Sequence, residues 1–233
     1  LFVPVERDVL RTGLVARQDQ VQFILRIEAA DRSRYVEDAF RVIADSLNWL
    51  GLDWDEGPGV GGDFGPYVQS KRLDLYREKA EALIQAGKAY RCNCSPERLK
   101  RIREEMREQG KNPMYDGYCR NKPADAIPLD EPHVIRLKVP HEGSTTFQDL
   151  LRGDITVENK LIDDQVLLKS DGYPTYHLAV VIDDHMMGIT HVMRGDDWIP
   201  STPKRTLLYR TFDWEPPTYI HVPLVMGPDG KKL

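Results

Sequence analysis

The chain has 233 residues, 41% hydrophobic and 30% charged, with a formal net charge of −5. That length holds one large domain, or one domain carrying an insertion, with enough apolar mass for a real core. The negative balance excludes a uniformly basic surface, so any nucleic-acid contact must come from local patches. No run of about 18 apolar residues offers a membrane span, and the opening residues lack the basic-then-apolar pattern of a secretory leader.

In chain order, the first clear element is VQFILRIE at 21–28, a short apolar run ending in charge, the pattern of a buried strand. Next, Val36, Phe40, Ile43, Leu47 and Leu50 recur at three- and four-residue steps. This spacing predicts an amphipathic helix with Gly51 as its stop. The Gly- and Pro-rich stretch 55–67 has neither the lysine nor the strand-to-helix setting of a phosphate-binding loop, so it reads as a plain loop. A second helix over about 70–86 carries Leu73, Leu75, Tyr76, Leu83 and Ile84. Strand, helix, loop, helix is the order of an α/β layer architecture.

The texture changes at Cys92. SPERLKRIREEMREQG predicts a helix with Ser95 as N-cap and Pro96 at its first position, made basic by Arg98, Lys100, Arg101, Arg103 and Arg107. HVIRLKVP, TTFQDLLRGDITV and DDQVLLKS are short β-rich pieces at hairpin-like spacing. From Tyr176 a second α/β segment resumes. YHLAVVIDDH and GITHVMRG read as apolar strands, and STPKRTLLYRTF as a helix capped by Ser201 or Thr202 with Pro203 in its first turn. The whole reads as an α/β fold with an open parallel sheet, its halves at 1–91 and 176–233 split by an insertion over 92–175. Sites in such sheets sit beyond the carboxyl ends of strands, which nominates Glu28 and Arg194.

Residues 173–198 concentrate tyrosines, histidines, aspartates, one arginine and one tryptophan around those apolar runs. Arg194 suits a bidentate grip on a carboxylate, Tyr176 a hydrogen bond to a polar ligand group. Asp183, Asp184, Asp196 and Asp197 suit an ammonium or simple solvation. Acidic turns around two ordinary strands explain the same pattern, and spacing alone dictates no reaction. His177 and His185 lack the helical spacing of metal ligands and read as structural histidines. The three cysteines all fall between positions 92 and 119. An odd, clustered set argues against a disulfide framework and for a reducing compartment, the cytoplasm. Cys92, Cys94 and Cys119 bring soft ligands from two turns, which suits tetrahedral zinc with Tyr115, Tyr118 or water completing the set. Three reduced, partly buried thiols are the alternative.

In order along the chain, FILRIE, WLGLDWDEGP, GPYVQSKRLDLY, YRCNCSPERL, YDGYCR, PHVIRLKVP, the run from VLLKSDGYPTYH to GDDWIPSTPKRTLLY, and VPLVMGPDGKKL resemble the bacterial-type glutamyl-tRNA synthetases. The resemblance covers nearly everything from 21 to 233. It implies a class I, Rossmann-like catalytic domain split by an α+β acceptor-stem-binding insertion. It also implies an enzyme that ligates L-glutamate to tRNA(Glu) through an ATP-derived glutamyl adenylate, with Mg²⁺, as a monomer with no membrane partner. Carried onto this sequence, Glu28 stands beside the substrate's α-amino group, Tyr176 lines the amino-acid pocket and Arg194 pairs with the substrate carboxylate, favouring glutamate over glutamine. Asp197 and Trp198 stand beside substrate and nucleotide, and Leu224 and Val225 lie against the adenine. GPDGKKL leads into the family's phosphate-contacting mobile loop, with Lys232 as its first, catalytic lysine. Zinc-containing relatives use Cys-x-Cys, a later Cys, and a His two residues on or a Tyr four residues before it. Asn121 stands at the His position, so the resemblance implies Cys92, Cys94, Tyr115 and Cys119 for Zn²⁺.

The resemblance departs at the N-terminus. LFVP runs straight into VERDVLRTGL, where the family has an arginine and a His-x-Gly-His-type ATP segment, and Ala29-Ala30-Asp31 replaces Asp-Thr-Asp. Two rival expectations follow: a truncated paralogue that glutamylates a modified anticodon base, and an inactive RNA-binding module. Retention of Glu28, Tyr176 and Arg194 favours the enzyme.

Overall fold

The computed structural model describes residues 12–18, 20–28, 39–123, 125–224 and 226–229. Residues 12–18 are helical. The 21–28 segment is extended but is not the regular buried strand its apolar run predicts. It makes only two isolated parallel bridges, Ile24 to Glu56 and Ile27 to Val68. Its partners are loop residues that bend away: the Leu25 N–H donates to the Glu56 carbonyl at 2.9 Å and the Ile27 N–H to the Tyr67 carbonyl at 2.8 Å. Phe23 and Leu25 are buried, while Val21 stays exposed.

Helix α1, Ala39–Trp49, has the expected amphipathic spacing; Val36 lies outside the described residues. It stops at Gly51, which has φ +68. The Leu52 N–H reaches back to the Leu47 carbonyl at 2.9 Å and the Gly51 N–H to that of Asn48 at 3.0 Å, a paired C-terminal cap that requires a left-handed residue. The expected second helix is a 3-10 turn, Gln69–Lys71, followed by α2, Leu73–Gln85. Strands β1 (Ala89–Cys92), β2 (Val134–Leu137) and β5 (Val166–Leu168) form an antiparallel sheet in the order β1-β2-β5. Helix α3, Pro96–Glu108, leaves this sheet from β1. Its Ser95 N-cap accepts from the Arg98 N–H at 3.3 Å, as the sequence predicts, and none of its residues is buried.

A second sheet has the order β4-β3-β7-β6, from β3 (Ser144–Asp149), β4 (Gly153–Glu158), β6 (His191–Gly195) and β7 (Thr218–Val222). β7 runs parallel to both β3 and β6. Helix α5, Thr202–Thr211, is the crossover from β6 to β7 that a parallel pair needs. One sheet thus joins a hairpin from the 92–175 segment to strands from 176–233.

YHLAVVIDDH is not a strand but helix α4, Tyr176–Met186. Residues 178–184 are all buried, and a helix buried all round has no polar stripe to reveal its period. Neither Ser201 nor Thr202 caps α5 through its side chain. A further 3-10 turn, Asp196–Ser201, precedes the helix, and both hydroxyls lie against its Trp198 carbonyl, at 2.9 and 3.1 Å.

The main core packs α2, α4 and α5 against the antiparallel sheet, through residues such as Tyr76, Leu83, Leu137, Leu167, Ile182 and Leu208. A charge cluster sits inside it. Asp183 is fully buried, ion-paired to Arg72 Nε at 2.8 Å and hydrogen-bonded by the Tyr76 hydroxyl at 2.8 Å and Gln69 Nε2 at 2.9 Å. Removing the carboxylate leaves Arg72 buried without its counter-charge. Asp183→Ala is therefore expected to cost about 3–5 kcal/mol, and Tyr76→Phe, which removes one donor, about 1 kcal/mol. Urea unfolding measures both, and equal costs would dismiss Asp183 as the organising charge.

Candidate functional site

Strand β6 ends by presenting Arg194, and the 3-10 turn after it presents Asp197 and Trp198. The junction is Gly195. A Cβ there would meet Asp197 Oδ1 at 2.6 Å and Leu224 Cδ2 at 2.7 Å, so a larger residue would push the Asp197 and Leu224 side chains aside. Arg194 Nη1 donates to the Tyr176 hydroxyl at 3.1 Å, and the guanidinium lies 5.2 Å from the Trp198 ring centroid. The Tyr176 and Trp198 rings stand 5.5 Å apart at 47°. Arg194 Nε is buried without an acceptor. No carboxylate among the described residues lies within ion-pair distance of Arg194. A half-buried guanidinium held by aromatic groups alone is ready for an anion from outside. Burial pushes the Tyr176 phenol up, against the pull of Arg194, so it stays protonated at neutral pH with its own proton free to donate.

The opposite charge comes from the 21–28 segment. Glu28 is exposed and accepts from Arg26 Nη2 at 2.7 Å. Arg26 Nη1 pairs with Asp184 Oδ1 at 2.8 Å, and its Nε lies 3.8 Å from Asp183. Arg26 was not nominated from sequence, although a charge inside the apolar run FILRIE signals a buried partner. The charges of Glu28 and Arg194 are both felt at Tyr176 and at Asp184. Arg194 therefore offers a cation beside Tyr176, while Glu28 is an exposed carboxylate paired to Arg26.

Asp197 sits on the turn beside Gly195, and Leu224 is half-buried next to it. Val225 and Lys232 lie outside the described residues, as do Ala29, Ala30 and Asp31. His177 is kept neutral, its pKa pushed down to about 4 by burial and then by Lys204 and Arg194. His185 stacks on Trp214 at 3.8 Å. Neither joins a cluster of metal-ligating groups. Among the described residues the one such cluster is Cys92, Cys94 and Cys119, with sulfurs all within 4.8 Å of one another.

Two thiolates on a tetrahedral zinc stand about 3.8 Å apart, given Zn–S bonds of about 2.3 Å; the Cys94 and Cys119 sulfurs are 3.6 Å apart. The Tyr115 hydroxyl lies 3.3 Å from Cys92 Sγ and 3.5 Å from Cys94 Sγ. Tyr118 is exposed and stacks under Arg98 instead. The donor set fits a soft divalent metal. Burial pushes the Cys92 thiol up, but Tyr115, the Cys94 backbone N–H and Arg136 outweigh it and the net direction is down. Burial pushes Cys94 up to about 11. Beside this cluster opens a cleft of about 670 Å³, lined in part by Lys100, Arg103, Arg107 and His133. It is distinct from the Arg194 cluster.

Residues 7–233 match the family described as tRNA synthetases class I (E and Q), catalytic domain. Over 227 residues the chain is 54% identical to a glutamate–tRNA ligase of Dehalococcoides mccartyi, covering 97% of this chain and 46% of that protein. It is also 54% identical over 215 residues to that of Fusobacterium nucleatum, covering 91% and 42%. A crystal structure of a glutamate tRNA ligase from Elizabethkingia meningosepticum in complex with its amino acid aligns with a TM-score of 0.87 at 38% identity, over 97% of this chain and 48% of that one. The chain spans about half the length of the curated relatives it matches.

Asp184 supplies a test of the charge layout. Burial outweighs Arg26 and raises its carboxyl from 3.8 to about 6. The folded state therefore holds that proton more tightly than the unfolded chain, and the residue's contribution to stability falls as pH rises across that window. The unfolding free energy of the native protein minus that of Asp184→Asn is expected to decline between those two values and level off above pH 7. A difference flat with pH would refute the assignment.

Proposed function

This chain belongs to the catalytic-domain family of class I tRNA synthetases (E and Q), and from that membership we propose that it ligates glutamate to tRNA(Glu). In the first step a glutamate carboxylate oxygen attacks the α-phosphorus of ATP and pyrophosphate leaves. In the second, a ribose hydroxyl at the tRNA 3′ end attacks the acyl carbon, and AMP leaves as the hydroxyl proton is lost. The observation that carries this reading is Arg194, a half-buried guanidinium braced by Tyr176 and Trp198 with no carboxylate among the described residues within ion-pair distance. Arg194 takes a glutamate carboxylate and Glu28 the α-ammonium. Glutamine is disfavoured because its neutral amide would leave the guanidinium charge unpaired.

Asp197 and Trp198 stand between amino acid and nucleotide, and Leu224 and Val225 pack the adenine. Lys232 offsets charge on the phosphates. Mg²⁺ arriving with ATP shares that charge when bound. The 92–175 segment is the acceptor-stem-binding part, between catalytic halves at 1–91 and 176–233. The exposed Arg103 and Arg107, one turn apart on α3, supply local positive charge for a phosphate backbone on an otherwise negative chain. The protein acts as a monomer in the cytoplasm, where the thiols stay reduced.

Cys92, Cys94, Tyr115 and Cys119 would hold Zn²⁺, which would tie the end of β1 and the start of α3 to the 115–119 loop. Elemental analysis of the purified protein is expected to find one zinc per chain, and Cys94→Ser less than half of that. A metal-free native protein with full stability would dismiss the site.

For the pocket, glutamate-dependent ATP–pyrophosphate exchange with tRNA present is the direct measurement. Arg194→Ala is expected to raise KM for glutamate roughly 100-fold, as loss of a desolvated counter-charge does. Arg194→Lys restores little, because an ammonium cannot reproduce the planar fork. An unchanged KM would remove Arg194 from the pocket.

A further inference from the structure

Behind the Trp198 turn lies a second polar chain that the proposed reaction does not use. Asp149 ends β3, His221 lies in β7 and Thr202 begins α5. His221 Nδ1 is 2.6 Å from Asp149 Oδ2, and its Nε2 is 3.0 Å from Thr202 Oγ1. Acid, imidazole and hydroxyl in that order is the arrangement that activates a hydroxyl nucleophile. Here Asp149 is 1% exposed and both His221 and Thr202 are 0% exposed, so no substrate meets the hydroxyl. The chain acts on the protein itself.

A count of protons shows how. Asp149 Oδ1 accepts the N–H groups of Leu151 and Arg152, each at 3.0 Å, and Oδ2 accepts the His221 N–H at 3.0 Å. A carboxylate so surrounded by donors stays ionised, and it requires the imidazole proton to sit on Nδ1. Burial keeps His221 neutral. Its Nε2 is then an acceptor and takes the single hydroxyl proton of Thr202. The Trp198 carbonyl is left to the Ser201 hydroxyl at 2.9 Å. Arg205 Nη2 donates into the Thr202 oxygen at 3.1 Å. Thr202 is thus held on several sides, and it is the residue on which the Asp196–Ser201 turn ends. The start of the same turn is also tied to the β3–β4 hairpin, since Arg152 Nη2 pairs with Asp196 Oδ2 at 3.1 Å. Trp198 lies between these two fixings.

We propose that the tip of the β3–β4 hairpin clamps the Trp198 turn at two points, through Asp149–His221–Thr202 and through Arg152–Asp196, and that these are positioning residues for the Trp198 wall of the pocket. The role of that wall in holding an amino acid rests on the proposed function; the clamp itself does not. The intact protein labelled with 5-fluorotryptophan reports on it by ¹⁹F NMR, with Trp198 assigned by its loss in Trp198→Phe. Thr202→Val removes the hydroxyl at constant shape. It is expected to shift or broaden the Trp198 resonance, leave Trp54 unmoved and raise KM for glutamate roughly 10- to 100-fold. Thr202→Ser, which keeps the hydroxyl, restores both. Arg152→Met cuts the partly exposed arm, is expected to move the same resonance less, and carries the test if Thr202→Val does not fold. A Trp198 resonance unmoved in every folded variant overturns the clamp, as does a shift that Thr202→Ser fails to reverse. If the resonance moves as expected in a native protein that never responds to glutamate, the clamp stands and the pocket reading falls.

Discussion

Two carboxylates that water scarcely reaches, Asp183 and Asp184, lie at the end of α4, and each needs a cation to be tolerable. Arg72, between the 3-10 turn and α2, serves the first, and Arg26, from the 21–28 segment, serves the second. Satisfying those charges draws two N-terminal segments onto one helix end. Because alternate residues of an extended chain share a face, placing Arg26 also places Glu28. Tyr176, eight residues from Asp184 along the same helix, stands about 12 Å away. A single rod therefore carries the charge network at one end and, at the other, the tyrosine that accepts from Arg194.

The cost of this layout falls on Arg194. Its guanidinium is half-desolvated, and within the described residues it finds a phenol and an indole face but no carboxylate. Aromatic faces recover only part of what water would give a cation. On the proposed reading, the remaining stabilisation is supplied when the substrate arrives. Binding strength and discrimination against a neutral analogue then share one origin.

Much of the local structure was legible. Gly51 after the periodic run, Ser95 before Pro96 and the spacing of α1 each report a requirement met within a few residues. The cysteine set was legible for the same reason: three soft ligands and Tyr115 lie within 28 positions. α4 was misread because burial on all sides erases the polar stripe that separates a helix from a strand. The 21–28 segment was over-read, since an apolar run reports burial and says nothing of the partner's shape. Glu28 and Arg194 were nominated by the ends of apolar runs and Tyr176 by its residue type, but their roles came from the resemblance, because no spacing ties positions 28, 176 and 194 together. Asp149 and His221 escaped notice for the same reason: 72 positions apart, they belong to no local pattern.

The parallel pairing of β3 with β7 makes the borders at 92 and 175 unlike those of a detachable module. The Leu150 N–H bonds to the Tyr219 carbonyl at 2.8 Å, opposite a pairing of Asp149 with Tyr219. Excising the intervening piece would leave β7 as a raw sheet margin, with backbone groups open to another chain. The 92–175 piece thus completes the sheet that carries β6 and β7, and its border with the 176–233 part is a hydrogen-bonded seam.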